Sequence, residues 1–207
     1  VDLGADVIKV ESPAGDYIRE MTWPIIRGVS LMHYHLNRGK KSITLDLKVE
    51  AAREIYRELV KGADVVIEAS KPGALAKYGL GYEDLRRINP KIVFCTVSGY
   101  GMTGPYKDMP SHGIAYDTWS GACQPAYDDE GYCYIPEHVG IGINAAPLFG
   151  GLAVLAGVLR ARATGQGCFM DLAQSDAAAA FDWYRSESHM AYARPEDIVT
   201  GNKADGY

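Results

Sequence analysis

Between Ala63 and Tyr106, two short β-branched apolar runs, Val65 to Ile67 and Ile92 to Val97, bracket a stretch whose apolar residues recur at helical spacing. Neither run is long enough for a helix, so the segment predicts strand, helix, strand. Two strands joined through a helix pair in parallel, which points to an α/β architecture. Each strand also runs into a loop rich in glycine and small polar residues. In open parallel sheets, ligands settle beside the carboxyl ends of the strands, so these loops are the first place to look for a site.

The flanking sequence extends the alternation. A strand is expected at Val7 to Val10 and another at Ile43 to Leu47. The helix that follows carries Val49, Ala52, Ile55, Leu59 and Ala63 on one face, while Glu50, Arg53, Glu54, Arg57, Glu58 and Lys61 point elsewhere. Asn89 precedes Pro90 and is thereby pushed toward extended geometry, returning the chain to the sheet. Signals weaken from Met109 to His138, where loops and short helices are expected around the acidic turn Asp128 to Gly131. Beyond it come a helix over about Ala146 to Arg162, a turn at Thr164 to Gly167, a strand at Cys168 to Ala173 and a last helix. Ser175 is the expected N-cap of that last helix and Arg194-Pro195 its end.

Composition narrows the function classes. With 207 residues, 47% of them hydrophobic, the chain can bury a full core as one substantial domain. A net charge of -5 without a long Lys/Arg run argues against a nucleic-acid or polybasic membrane surface. Val139 to Leu159 is apolar apart from Asn144, which is long enough to suggest a membrane span. Pro147, the glycines and the surrounding α/β pattern favour instead a soluble helix buried against the sheet. Cys95, Cys123, Cys133 and Cys168 are scattered, with no metal or disulfide spacing, and read as free thiols in a reducing cytosol. His33, His35, His138 and His189 form no metal or triad pattern, and no export signal is visible, so the expected compartment is the cytoplasm.

Gly99-Tyr100-Gly101-Met102-Thr103-Gly104 satisfies G-x-G-x-x-G directly after a strand. Pro105 and Pro110 flank a segment with no helical pattern, however, and without a helix N-terminus a pyrophosphate loses the amides and dipole that hold it. A nicotinamide site is therefore not expected. The glycines are read as a tight loop lining a pocket.

Five pieces of this chain together carry a family resemblance: G-A-D-V-I-K-V-E from Gly4, N-R-G-K-K-S-I-T-L-D-L-K from Asn37, A-D-V-V-I-E-A-S-K-P-G from Ala63, V-S-G-Y-G-M-T-G-P-Y from Val97, and T-G-Q-G from Thr164 with Met170-Asp171-Leu172. In this order the chain resembles the family III CoA-transferases, the group that includes formyl-CoA, carnitine and bile acid CoA-transferases. The resemblance implies a Rossmann-like parallel sheet with flanking helices, two intertwined chains, and exchange of CoA between an acyl-CoA and a free carboxylic acid. It implies no metal and no permanently bound cofactor, the CoA thioester being a substrate. Family members begin with an additional strand and helix and continue through a smaller second domain. Residues 1–207, which open at Val1 without Met, are therefore expected to be an internal part of the large domain.

Carried over residue by residue, the resemblance places CoA contacts at Lys48, Ala69, Ser70, Lys77 and Tyr100, on loops expected to converge in a cleft. The tight glycine loop at Gly99 to Gly104 is, on this reading, one that lines the CoA or acyl pocket. Ala69 stands where many members have Asn, and Ser70 where an aromatic often stacks on adenine. The basic run Asn37 to Lys41 is read as a solvated loop, with contact to CoA phosphates as its alternative. In the family an aspartate at the head of the helix before the T-G-x-G turn attacks the thioester to give a mixed anhydride, a covalent route that divides one hard exchange into easier steps. Counting back without gaps from Thr164 puts that position at Ile143, beside Asn144, so no catalytic residue is assigned. Asp171 and Asp176 are read as structural, and Glu137 is the acid to locate in a structure.

Two alternatives accompany this reading. One is a catalytically silent subunit working beside an active homologue, so the partner is a second copy or a homologous chain. The other is an α-methylacyl-CoA racemase-like enzyme, whose proton-transferring His falls here at Tyr116, followed by Asp117, with His112 offset by four residues.

Overall fold

The computed structural model describes residues 1–136, 140–184 and 187. Parallel pairing is present as expected, but it is divided between two compact units, Val1–Ala63 with Leu75–Asn89, and Asp64–Ala74 with Pro90 onward. The expected parallel sheet is thus two separate parallel sheets, one of two strands and one of three.

In the first unit, strand β1 (Ile8–Glu11) pairs in parallel with β4 (Lys41–Thr44), Ile8 opposite Lys41 and Glu11 opposite Thr44. Between them lie the antiparallel pair β2 (Pro24–Ile26) and β3 (Val29–Ser30) and the short helix α1 (Leu31–Asn37). Ser30 ends β3 and caps α1, its hydroxyl accepting from the His33 amide at 3.0 Å. Helix α2 (Glu50–Lys61) packs against α3 (Tyr82–Ile88). Its inward face is the expected one only in part: Ala52 is buried and Leu59 half-buried, but Val60 is buried as well, whereas Val49 and Ile55 are exposed. Asn89, just past α3, donates to the carbonyls of Val60 and Ala63 at 3.0 and 2.8 Å and so closes the ends of both helices.

The second unit is built on a parallel sheet ordered β5 (Val65–Glu68), β6 (Val93–Ser98), then β9 (Cys168–Ala173). Val93 lies opposite both Val65 and Cys168. After β6 come α4 (Ile114–Trp119) and the hairpin β7 (Ala126–Tyr127) and β8 (Cys133–Tyr134), which folds around the acidic turn. Helix α5 (Ile141–Thr164) and α6 (Gln174–Phe181) complete the unit. Residues Ile92 to Cys95 are almost fully buried, so β6 is the core strand.

Helix α5 starts at Ile141 rather than near Ala146, and Pro147 lies within it. One face is buried through small residues, Gly142, Ala145, Ala146, Gly150, Gly157 and Ala161. A Cβ at Gly157 would come within 2.6 Å of the Met170 methyl and 3.0 Å of Val93, so the absence of a side chain there lets the helix lie close on the sheet without displacing either. The opposite face leaves Leu148, Leu152, Leu155 and Leu159 exposed, and the helix is long and apolar enough by length and composition to cross a membrane. Burial against the sheet therefore holds for one face only. Strand β9 passes into α6 at Ala173, which occupies the N-cap without a side-chain bond, so Ser175 is inside the helix instead of capping it. Arg194-Pro195, the expected end of the last helix, lies outside the described residues.

Candidate functional site

In the second unit the glycine loop after β6 is a tight turn without a following helix, as its prolines predict. Gly101 holds φ of 86°, and the amide of Met102 donates to both carboxylate oxygens of Asp171 at 3.0 and 2.8 Å. The Thr96 hydroxyl reaches the Met170 carbonyl at 3.2 Å and the same carboxylate at 3.4 Å. Asp171 therefore clamps the loop onto β9, a structural role. The Gly99 carbonyl accepts the Ser175 amide at 3.0 Å, fastening the other end to α6.

Tyr100, on this loop, stands edge-on to Trp119 with ring centroids 5.8 Å apart, and Tyr106 meets the same indole at 4.6 Å. Burial pushes the Tyr100 phenol above its usual value. Trp119 is 50% exposed and Tyr106 47%, which leaves aromatic surface in solvent beside the carboxyl end of β6.

Two residues before Trp119, Asp117 is only 1% exposed. Its carboxylate accepts the amides of Ile141 and Gly142 at 3.1 and 2.6 Å, two of the donors that a helix N-terminus leaves without intrahelical partners. This brace explains why α5 begins earlier than its glycines and proline suggest. A Cβ at Gly142 would meet the Tyr116 ring at 2.7 Å, Asp117 at 2.8 Å and the Gln174 carbonyl at 2.9 Å, so only glycine fits there. Next on the helix, Ile143 is 53% exposed and presents an apolar side chain where the resemblance expects the nucleophilic aspartate. Asn144 turns back to donate to the Gly140 carbonyl at 2.6 Å. Tyr116 and Asp117 are buried in bracing the helix, and His112 is exposed at the end of the loop.

Asp176 is exposed in the first turn of α6, where a negative charge favours the helix dipole, and Glu137 lies outside the described residues. Cys95 is buried, and that burial raises its thiol above the usual range, assisted by the Asp171 charge, which disfavours a thiolate nucleophile. Among the described residues, no cluster of three or more His, Cys, Asp or Glu could hold a metal ion. Ala69 and Ser70 follow β5 and are exposed, the Ser70 amide donating to Glu68 at 3.0 Å.

The first unit brings Lys48 and Lys77 into one network. Arg53, on α2, donates to the carbonyls of Leu47 and Lys48, each at 2.9 Å, while its guanidinium lies 5.9 Å from the Tyr78 ring centroid. The Lys77 ammonium lies 4.9 Å from the same ring. Arg57 and Arg53 both hydrogen-bond Glu50 and hold its carboxyl below the ordinary range. Both lysines are exposed, so the network offers two cations for an anion and spends Arg53 on positioning. By contrast, Arg38 and Lys41 of the basic run pair with Asp2 and Asp6 at 3.1 and 2.7 Å, which matches a solvated, neutralised surface.

Two contributors escaped the sequence reading. Arg53 had a local signal, a Glu three residues earlier on the same helix, but was counted as surface charge. Asp117 was named only beside the racemase position; its bracing role had no local signal, because its partners lie 24 and 25 residues away.

A family model described as CoA-transferase family III matches residues 1–206. The chain is 37% identical over 212 residues to a succinate–glutarate CoA-transferase of Agrobacterium fabrum, covering 97% of this chain and 52% of that protein. It is 35% identical over 173 residues to the beta subunit of a succinyl-CoA–L-malate CoA-transferase of Chloroflexus aurantiacus, with coverages of 83% and 43%. A crystal structure of a CAIB/BAIF family protein from Brucella suis superposes with a TM-score of 0.81 at 34% identity, covering 97% of this chain and 54% of that one. The chain thus spans about half the length of these relatives.

Proposed function

Because the chain belongs to CoA-transferase family III, we propose that the complete protein transfers coenzyme A from an acyl-CoA to a free carboxylic acid. Lys48 and Lys77 meet CoA phosphates, their loop and turn held in place by Arg53 and Tyr78. Ala69, Ser70 and Tyr100 supply the remaining contacts, with adenine recognised without an aromatic at position 70. CoA is bound only as a substrate. The protein works in the cytoplasm, with α5 as an interior helix of the assembled enzyme.

The observation that carries the finer reading is Ile143 on the braced head of α5. Acyl transfer by the family route needs a carboxylate to attack the thioester carbonyl, breaking the carbon–sulfur bond and releasing CoA thiolate. Isoleucine cannot do this. The chain therefore acts beside a homologous subunit that contributes the aspartate, and the similarity to a beta subunit of a CoA-transferase favours such a heteromer over a homodimer. A racemase reading is weaker, since Tyr116 and Asp117 are buried in bracing the helix.

Full-length protein expressed alone is incubated with acyl-CoAs and hydroxylamine, and mass spectrometry is used to look for an enzyme hydroxamate. None is expected, whereas Ile143→Asp should yield one at residue 143. A trapped carboxylate in the unaltered chain would show that it carries its own nucleophile. Failure of CoA to raise the melting temperature at saturation would remove the CoA-binding reading altogether.

A further inference from the structure

Most cations of the first unit are spent on neighbouring carboxylates: Arg38, Lys41, Lys61, Arg86 and Arg87 each pair with an acid. Lys48 and Lys77 differ, because among the described residues neither ammonium has a carboxylate partner. The backbone that carries them is nevertheless fixed from one helix. Arg53 of α2 donates to the Leu47 and Lys48 carbonyls and lies 5.9 Å from the Tyr78 ring centroid, while the Lys77 ammonium lies 4.9 Å from that centroid. Arg57, one turn further along α2, shares Glu50 with Arg53 and lies 3.7 Å from where a Cβ on Gly79 would stand.

The charge of this network is unbalanced. Lys48, Arg53, Arg57 and Lys77 are set against two carboxylates, Asp46 and Glu50, which leaves an excess of two positive charges. The backbone amides are already used: those of Lys48, Tyr78 and Gly79 donate to Asp46, Leu75 and Ala76 at 3.1, 3.0 and 2.9 Å. A pyrophosphate spreads its charge over two bridged phosphorus atoms and is characteristically cradled by free amides at a helix start. A phosphate monoester instead gathers a charge of about −1.5 to −2 on one phosphorus at neutral pH. That suits lysines, each a compact point charge on a flexible stem.

We infer that Arg53 is a positioning residue which, through the Lys48 backbone and the Tyr78 ring, preorganises Lys48 and Lys77 as a receptor for the 3′-phosphate of CoA. This receptor makes the protein distinguish CoA from dephospho-CoA. The inference rests on the CoA-transferase reading and names the part of CoA that the two lysines read. With serine at position 70 and no aromatic platform there, nucleotide recognition in this chain falls on the phosphate.

The test is calorimetry of the full-length protein, with any subunit that co-purifies, titrated with CoA and with dephospho-CoA. CoA should bind at least about tenfold tighter, as expected of charge-assisted hydrogen bonds to one group. Arg53→Ala should reduce that ratio to about twofold by weakening CoA, while dephospho-CoA binding changes less than about twofold. Arg53→Lys, which lacks the planar fork that spans two carbonyls, should keep an intermediate ratio. Tyr78→Leu should lower the ratio about threefold, whereas Tyr78→Phe, which keeps a ring beneath the cations, should leave it unchanged. Equal affinity of the unaltered protein for both ligands would overturn the inference. So would an equal loss of both in Arg53→Ala, by showing that the network grips the pyrophosphate or only supports the fold. Binding of neither ligand by the unaltered protein would instead count against the underlying CoA-transferase reading.

Discussion

The two units are held together by different physics. In the first, the buried carboxylate of Glu11 receives a two-pronged bond from Arg19 at 2.9 and 2.7 Å and the Ser42 hydroxyl at 2.9 Å, while Lys9 pairs with Asp16. In the second, glycines let α5 lie on β6 and β9, and the buried carboxyl of Asp117 is bonded to the backbone amides of Ile141 and Gly142. Charge orients the first unit and close approach orients the second. Substitution should therefore expose opposite sensitivities, with pH and salt acting on the first and added side-chain volume on the second.

The largest effect is expected at Asp117. Asp117→Ala leaves two buried amides without acceptors and should cost about 4 kcal/mol, or roughly 8–16 °C in melting temperature. Asp117→Asn keeps one acceptor oxygen and should cost about half as much. A melting temperature unchanged by Asp117→Ala would break the contrast, because the head of α5 would then be held by packing alone. Gly142→Ala follows at about 3 kcal/mol, since the backbone carbonyl of Gln174 cannot yield to the new methyl group.

In the first unit, Glu11→Gln at neutral pH should cost about 2 kcal/mol through its charged hydrogen bonds. The Arg19 bond and, with it, Ser42 and Lys9 lower the Glu11 carboxyl from 4.5 to about 2. Its contribution is complete above pH 4.5 and is lost as pH falls through about 2. Acid titration of the melting temperature should therefore show a decline over that window that Glu11→Gln abolishes. An identical decline in the variant would place the acid sensitivity elsewhere. Arg53→Ala should cost less than about 1 kcal/mol of stability, as expected for partly exposed ion pairs, but should weaken CoA binding in calorimetry. The smallest effect is expected at Thr118, whose buried hydroxyl has no hydrogen-bond partner among the described residues. Thr118→Val should change stability by no more than about 0.5 kcal/mol, since it removes no bond.

Legibility in the sequence followed the same division. The strand-helix-strand segment was readable because β6 is buried on both faces and so becomes a continuous apolar run, and β9 carries its predicted bounds, Cys168–Ala173. The inward face of α2 was only partly readable: Ala52 is buried as its spacing predicts, but Val60 rather than Val49 or Ile55 joins it, which depends on where the neighbouring helix lies and not on the local pattern. Lys48 and Lys77 could be singled out by resemblance, yet the arginine that ties their backbone and ring together looked like ordinary surface charge. At the head of α5, glycine and proline suggest a loop. Only a carboxylate from a separate helix reverses that preference, and a side chain reaching across 24 residues leaves no local trace.

Pro147 gives α5 a further property. Lacking an amide hydrogen, it cannot bond to the carbonyl four residues earlier, which is that of Ile143. The ladder has a missing rung one turn from its start. In amide exchange, the helix should show two tiers of protection, with the first turn opening independently of the turns that lie on the sheet. The backbone at position 143 thus depends on the Asp117 brace at the two preceding amides, while Gly150 and Gly157 keep the rest of the helix seated.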